Sequence, residues 1–165
     1  LGDVYKRQMQ SHYFEHFMEG LCDAQGVKLS DCFANSFCLS ADVSNAFDPN
    51  WPETCDKRNN SQLNYGVAIC KYTGSRGKGG ASDASAEAMG HVRSTLDKAG
   101  VIWQIATLGK VDQGGGGTVA AYMANRNIVT VDAGVPVLSM HAPLELVSKL
   151  DCYETMLACK AIYLA

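Results

Sequence analysis

VDQGGGGTVAAYMANRNIVTVDAGVPVLSMHAPLE, residues 111–145, runs a glycine-rich turn and an apolar segment into a single histidine, His141. Residues 118–125 are read as a helix, 128–132 and 136–140 as two strands, and 144–164 as a long closing helix. A polar residue released at the end of an apolar strand is where open α/β sheets expose chemistry. Working upstream, residues 13–25 place Phe14, Phe17, Met18, Leu21 and Cys22 at helical spacing, with Gly26 as the stop. Residues 33–41 read as a buried strand leading to Asp42, 48–62 as an irregular Pro/Asn/Asp loop, and 65–72 as the next strand. A helix capped by Ser82 or Asp83 runs through Met89, Val92 and Leu96 to Lys98 and ends at Gly100, and residues 101–107 form a further strand. Helix and strand alternate, which predicts a layered α/β sheet rather than a bundle.

Composition narrows the class. A chain of 165 residues, 47% hydrophobic and 19% charged, can bury one sizeable core. Its 14 Lys and Arg are scattered and the net charge is −3, so no basic face concentrates against nucleic acid phosphates. No apolar run reaches the length of a membrane span. The seven cysteines form no Cys-x-x-Cys pair and no zinc-ribbon spacing, and read as reduced, mostly buried, small apolar residues of an intracellular, cytoplasmic protein. The first residues, LGDVYKRQ, have the look of a translated sequencing-adapter remnant. Residues 1–8 are therefore set apart from one domain over 9–165.

Several motifs fail on inspection. The turn GSRGKGG at 74–80 would need glycine at 72 and Ser or Thr at 79 to be a phosphate loop, and Tyr72 and Gly79 stand there. The four glycines at 114–117 lack the third glycine of the dinucleotide fingerprint. They offer instead backbone that a substrate can approach, with free amides to bind a carbonyl or carboxylate; the bland alternative is a flexible turn. His12 and His16 lie four apart without the His-Glu-x-x-His order and read, with His91, as surface residues. Asp42 follows its strand as His141 follows its own, although Asp48 and Asp56 nearby leave open an acidic loop that caps its own backbone.

Three blocks in order, LSADVSNAFDPN at 39–50, KYTGSRGKGGASDASAE at 71–87 and residues 111–145, resemble the aspartyl aminopeptidase family of dinuclear metallopeptidases, metallopeptidase family 18, in its bacterial branch. The resemblance covers roughly residues 20–165 and implies the C-terminal part of a three-layer α/β zinc-peptidase catalytic domain, incomplete here. It implies that Asp42 ligates one of two divalent ions and His141 the other, with zinc the expected metal and cobalt or manganese compatible with the same donors. It implies peptide substrates cleaved at their N-terminal residue through a metal-activated water, and assembly into a homo-oligomer, a dodecamer in relatives. Asp112, Gly116 and Thr118 fall where the family lines its substrate pocket, and Lys71 where a lysine can pair with a substrate carboxylate. The family's upstream His-x-Asp, bridging aspartate and Glu-Glu pair are absent from the chain, so the fragment alone is expected to be inactive. Asn45 stands where many relatives have histidine, and Asp48 where the eukaryotic branch tends to have one. Two alternatives remain open: a non-catalytic binding or assembly module with a peptidase-like fold, and an unrelated small-molecule-binding α/β domain. Convergence of Asp42 and His141 separates the metal hypothesis from the latter.

Overall fold

The computed structural model describes residues 11–74, 82–110, 112–113 and 115–165. The expectation for residues 1–8 and that for the glycine turn at 75–81 lie outside the described residues. Helix α1 spans Tyr13–Gln25 and is stopped by Gly26 in the left-handed conformation, as its spacing predicts. A short helix α2, Leu29–Ala34, follows before strand β1, Phe37–Asn45. The strand expected over 33–41 is thus displaced toward the C-terminus. Phe33, the first apolar residue of that run, turns back in α2 and stacks on Phe14 of α1 with ring centroids 5.7 Å apart. A short apolar run fits a helix turn as well as a strand, and here the aromatic contact decides.

The loop after β1 contains one 3₁₀ turn, Pro52–Thr54, and leads to β2, Val67–Cys70. Helix α3, Ala86–Ala99, is capped by Ser85, whose hydroxyl accepts the Ala88 N–H, rather than by Ser82 or Asp83; Gly100 ends it as expected. Strand β3, Trp103–Ala106, helix α4, Ala120–Ala124, and strand β4, Val129–Leu138, come next. The two strands expected over 128–140 are therefore one. The closing helix starts later than expected: residues 146–147 form strand β5, Leu146–Val147, and α5 runs over Lys149–Tyr163 from Ser148, whose hydroxyl accepts the Leu150 N–H.

These strands form a five-stranded mixed sheet in the order β1-β4-β2-β3, with β5 paired to β4. Strand β1 runs parallel to β4, β2 parallel to β3, and β4 antiparallel to β2 and β5. Val67, Ile69, Val131 and Ala133 point to the face on which Met89, Val92 and Leu96 of α3 and Ala158 of α5 pack. Burying each large aliphatic side chain there contributes about 1.5–3 kcal/mol. The alternate residues Ala68, Cys70 and Ala106 face the other side in a smaller cluster, and that side carries the polar groups described below.

Helix α5 also bolts the sheet from the face opposite those groups. Asp151, fully buried, accepts the Asn64 N–H at 2.9 Å and the Gly66 N–H at 2.8 Å, and Glu154 accepts the Ile102 N–H at 2.8 Å. The amides entering β2 and β3 have thereby found their acceptors on a helix rather than in water. Asp151→Ala leaves the buried Gly66 N–H and the part-buried Asn64 N–H unpaired and is expected to lower unfolding free energy by about 2–4 kcal/mol, read by urea denaturation. A loss under about 0.5 kcal/mol would show that water replaces the carboxylate.

Candidate metal centre and substrate pocket

Asp42 lies inside β1 rather than after it, because the β1–β4 ladder continues to the Asn45–Val137 pair. Ser40 and Ser44, two residues to either side, are buried, while Asp42 is exposed and its Oδ1 accepts the Val43 N–H at 2.7 Å. Its register partner is Gly134. A Cβ at Gly134 would lie 2.5 Å from the Asp42 carbonyl oxygen, so the bare α-carbon lets β4 approach the backbone that carries this carboxylate.

His141 sits in the turn that follows β4. Ala142 N–H donates to the Ser139 carbonyl at 2.9 Å, and Ser139 and His141 both adopt positive φ, 58° and 67°. The Glu145 carboxylate accepts the His141 N–H at 2.5 Å. Glu145 therefore fixes the backbone of His141. The segment from β4 then enters β5, not a helix.

Asp42 and His141 line one pocket of about 340 Å³, together with Gly116, Thr118, Leu108 and Met140. The structure thus brings together four of the six residues singled out from the sequence. Lys71 and Asp112 are not among those lining it. Lys71 is ion-paired to Asp83 at the end of β2, and Asp112 is exposed with φ 64°. Asn45 lines the pocket too, its side-chain amide donating to Cys55 Sγ at 3.3 Å.

One residue beside the pocket was not singled out. Asp132 of β4 is buried on the side of the sheet that carries Asp42; its Oδ1 accepts from Thr118 Oγ1 at 2.7 Å and its Oδ2 from Thr73 Oγ1 at 3.4 Å. Burial pushes its carboxyl above the usual aspartate range, the hydroxyls of Thr118, Ser40 and Thr73 oppose that rise, and the negative charge of Asp42 adds to it. A carboxylate in the middle of the apolar run IVTVDAGVPV was the available signal. Cys70, opposite Asp132 in the β2–β4 register, is a thiol that burial pushes up to about 11.

The remaining polar candidates follow their bland readings. Asp48 accepts the Asn50 N–H and Asp56 the Arg58 N–H, each capping its own loop. His12, His16 and His91 are exposed, and all seven cysteines are free, although only Cys22, Cys55 and Cys70 are buried where most were expected to be. A larger groove, about 470 Å³, lies on the opposite side of β1 against Phe37, Leu39, Phe14 and Ile162, and holds no carboxylate, imidazole or amine.

One carboxylate and one imidazole on a single pocket suit zinc in kind. In number they are incomplete: among the described residues, no three His, Cys, Asp or Glu side chains gather to hold an ion. No helix among them is long and apolar enough to cross a membrane.

The family model described as aminopeptidase I zinc metalloprotease (M18) matches residues 1–163. A probable M18 family aminopeptidase 1 of Clostridium acetobutylicum is 48% identical over 159 residues, covering 94% of this chain and 34% of the relative. One from Borreliella burgdorferi is 41% identical over 169 residues, covering 99% and 37%. The crystal structure of an M18 aminopeptidase from Thermotoga maritima superposes with a TM-score of 0.89 at 41% identity, over 93% of this chain and 35% of that one. The chain thus spans about a third of the length of these relatives. With its α/β sheet matched throughout and its sequence matched over nearly every residue, the chain belongs to the aminopeptidase I (M18) zinc metalloprotease family.

Proposed function

We propose that this chain forms the part of a zinc-dependent aminopeptidase that carries one ligand for each of two divalent ions, Asp42 for one and His141 for the other. The observation that carries the proposal is the shared pocket of these two side chains, Asp42 on β1 and His141 in the turn that follows its neighbour β4, in a chain of the M18 family. The remaining donors come from outside this chain. When bound, the ions supply Lewis-acid polarisation of a peptide carbonyl and lower the pKa of water.

The protein's own residues do the rest. Glu145 fixes the backbone of His141, and Val43 N–H fixes one oxygen of Asp42, so each donor is held before a ligand arrives. Gly116 and Thr118 give the pocket a wall of accessible backbone against which the N-terminal residue of a peptide packs. Lys71 and Asp112 belong to the substrate's approach only if the Lys71–Asp83 pair opens or a neighbouring subunit completes the rim. Assembly into a homo-oligomer belongs to the proposal as well; a yeast aminopeptidase of the same fold is described as a dodecamer. Seven free cysteines fit a reducing compartment such as the cytoplasm.

The test is hydrolysis of a panel of aminoacyl-coumarin amides by the complete gene product that carries this chain. Turnover that a chelator abolishes and zinc, cobalt or manganese restores is expected, with residues 1–165 alone inactive. A metal-replete complete product that cleaves none of the panel would contradict it and favour a binding or assembly module.

A further inference from the structure

The glycine wall of the pocket and the loop at Thr73–Gly74 that backs it are held by one carboxylate that does not line the pocket itself. Asp132 Oδ1 takes the hydroxyl of Thr118, which in turn accepts the Ala120 N–H at 3.3 Å, so one oxygen fixes residues 115–118 and the start of α4. Oδ2 takes the hydroxyl of Thr73, next to Gly74. The loops meet directly: a Cβ on Gly115, which has φ 102°, would lie 2.3 Å from the Gly74 carbonyl oxygen and 2.8 Å from that of Leu108. Between Asp132 and Asp42 lies a cavity of about 10 Å³, lined also by Ser40, Thr73 and Thr118. The Ser40 side chain is buried there. That space is on the scale of a single water sphere surrounded by polar groups.

We infer that Asp132 is a positioning residue for substrate binding: acting through Thr118 and Thr73, it clamps residues 115–118 against Gly74 so that the glycine wall is preformed when a peptide enters. This rests on the proposed peptidase function for its ligand, but the clamp itself is a property of the chain. A carboxylate suits the task because it accepts two hydroxyls at once, one on each oxygen, whereas an amide in its place presents one acceptor and one donor. The cost of burying the acid is accepted in return for loops that need no ordering at the moment of binding.

The experiment is a double-mutant cycle in the complete gene product, with Asp132→Asn and Thr118→Val separately and together, and Thr118→Ser as the conservative control. Two readouts are taken: amide hydrogen exchange at Gly115, Gly116 and Gly117 without substrate, and KM and kcat for an aminoacyl-coumarin amide. Each single change is expected to speed exchange at the three glycines and raise KM about tenfold, the scale of one charge-assisted hydrogen bond, with kcat within about twofold. The double variant should be no worse than Asp132→Asn alone, because the two residues act in series, and Thr118→Ser, which keeps the hydroxyl, should leave exchange at the three glycines at the parent's rate. Unchanged glycine exchange in both single variants, or effects that multiply to about 100-fold in the double, would overturn the clamp. If no peptide is turned over, the proposed function fails while the exchange measurement still decides the clamp. Should Asp132→Asn not fold, the Thr118 pair carries the same test.

Discussion

His141→Asn in the complete gene product is expected to lower kcat/KM for aminoacyl substrates by at least about 100-fold, since loss of even an outer partner of a metal ligand costs 10–100-fold. Asparagine is the informative replacement. His141 has φ 67°, a conformation that asparagine adopts readily and alanine does not, and the turn is held by the Ser139 carbonyl and the Glu145 carboxylate through backbone amides that survive the change. Stability should therefore stay within about 0.5 kcal/mol of the parent, the usual range for an exposed site. Loss of activity with the fold intact is the signature of a missing ligand; activity within threefold of the parent would remove His141 from the centre. Asp42→Asn should behave alike, because its backbone is set by the β1–β4 ladder and not by the carboxylate.

Gly134→Val is expected to destabilise the protein by about 3 kcal/mol or more, at the upper end of overpacking effects. A side chain there would begin 2.5 Å from the Asp42 carbonyl oxygen and 2.8 Å from the Val43 carbonyl carbon, both backbone atoms with no rotamer to yield. Strands β1 and β4 would have to part at the level of the proposed ligand, and the β4–β2 ladder shares the same residue through its Ala68–Gly134 pair. The loss should appear in urea unfolding and, where the protein still folds, as weakened metal binding. Near-parental stability would mean that the strands separate at little cost and that the close approach does not define the site.

The elements that could be read from sequence are those whose signals are local. Helix α1 has an apolar stripe and a glycine stop, and both fell where the spacing put them. Helix α3 ended at Gly100 as read, but its start depended on which of Ser82, Asp83 and Ser85 turned its oxygen toward a free amide; Asp83 is occupied by Lys71 instead. Around the gap between the two strands expected over 128–132 and 136–140, Gly134 and Pro136 resemble breaks. Long-range pairing explains why they are not. The Val137 carbonyl points at Ala46 on the β1 side, so the nitrogen of Pro136 faces the other way, between the end of the β2 ladder at Gly134 and the start of β5 at Val137. No ladder donor is lost there. Continuity of β4 also explains why Asp42 lies within β1 and not beyond it.

At the site, Asp42, His141, Gly116 and Thr118 could be picked out because each follows an apolar run or stands in a glycine turn within a recognisable block of sequence. Asp132 could not be picked out that way, since its importance lies in what two distant hydroxyls do with it, and sequence order separates Thr73 from it by 59 residues. Lys71 was legible as a strand-end lysine, but its pairing with Asp83 required the bridge that brings Tyr72 beside Asp83.

The most direct test of the account is anomalous diffraction at the zinc edge from crystals of the complete, zinc-loaded gene product. Two peaks in the pocket are predicted, one about 2.0–2.2 Å from an Asp42 carboxylate oxygen and the other about 2.0–2.1 Å from a ring nitrogen of His141. Zinc bound elsewhere, with both side chains free in a fully loaded protein, would contradict the assignment of this pocket as the metal centre.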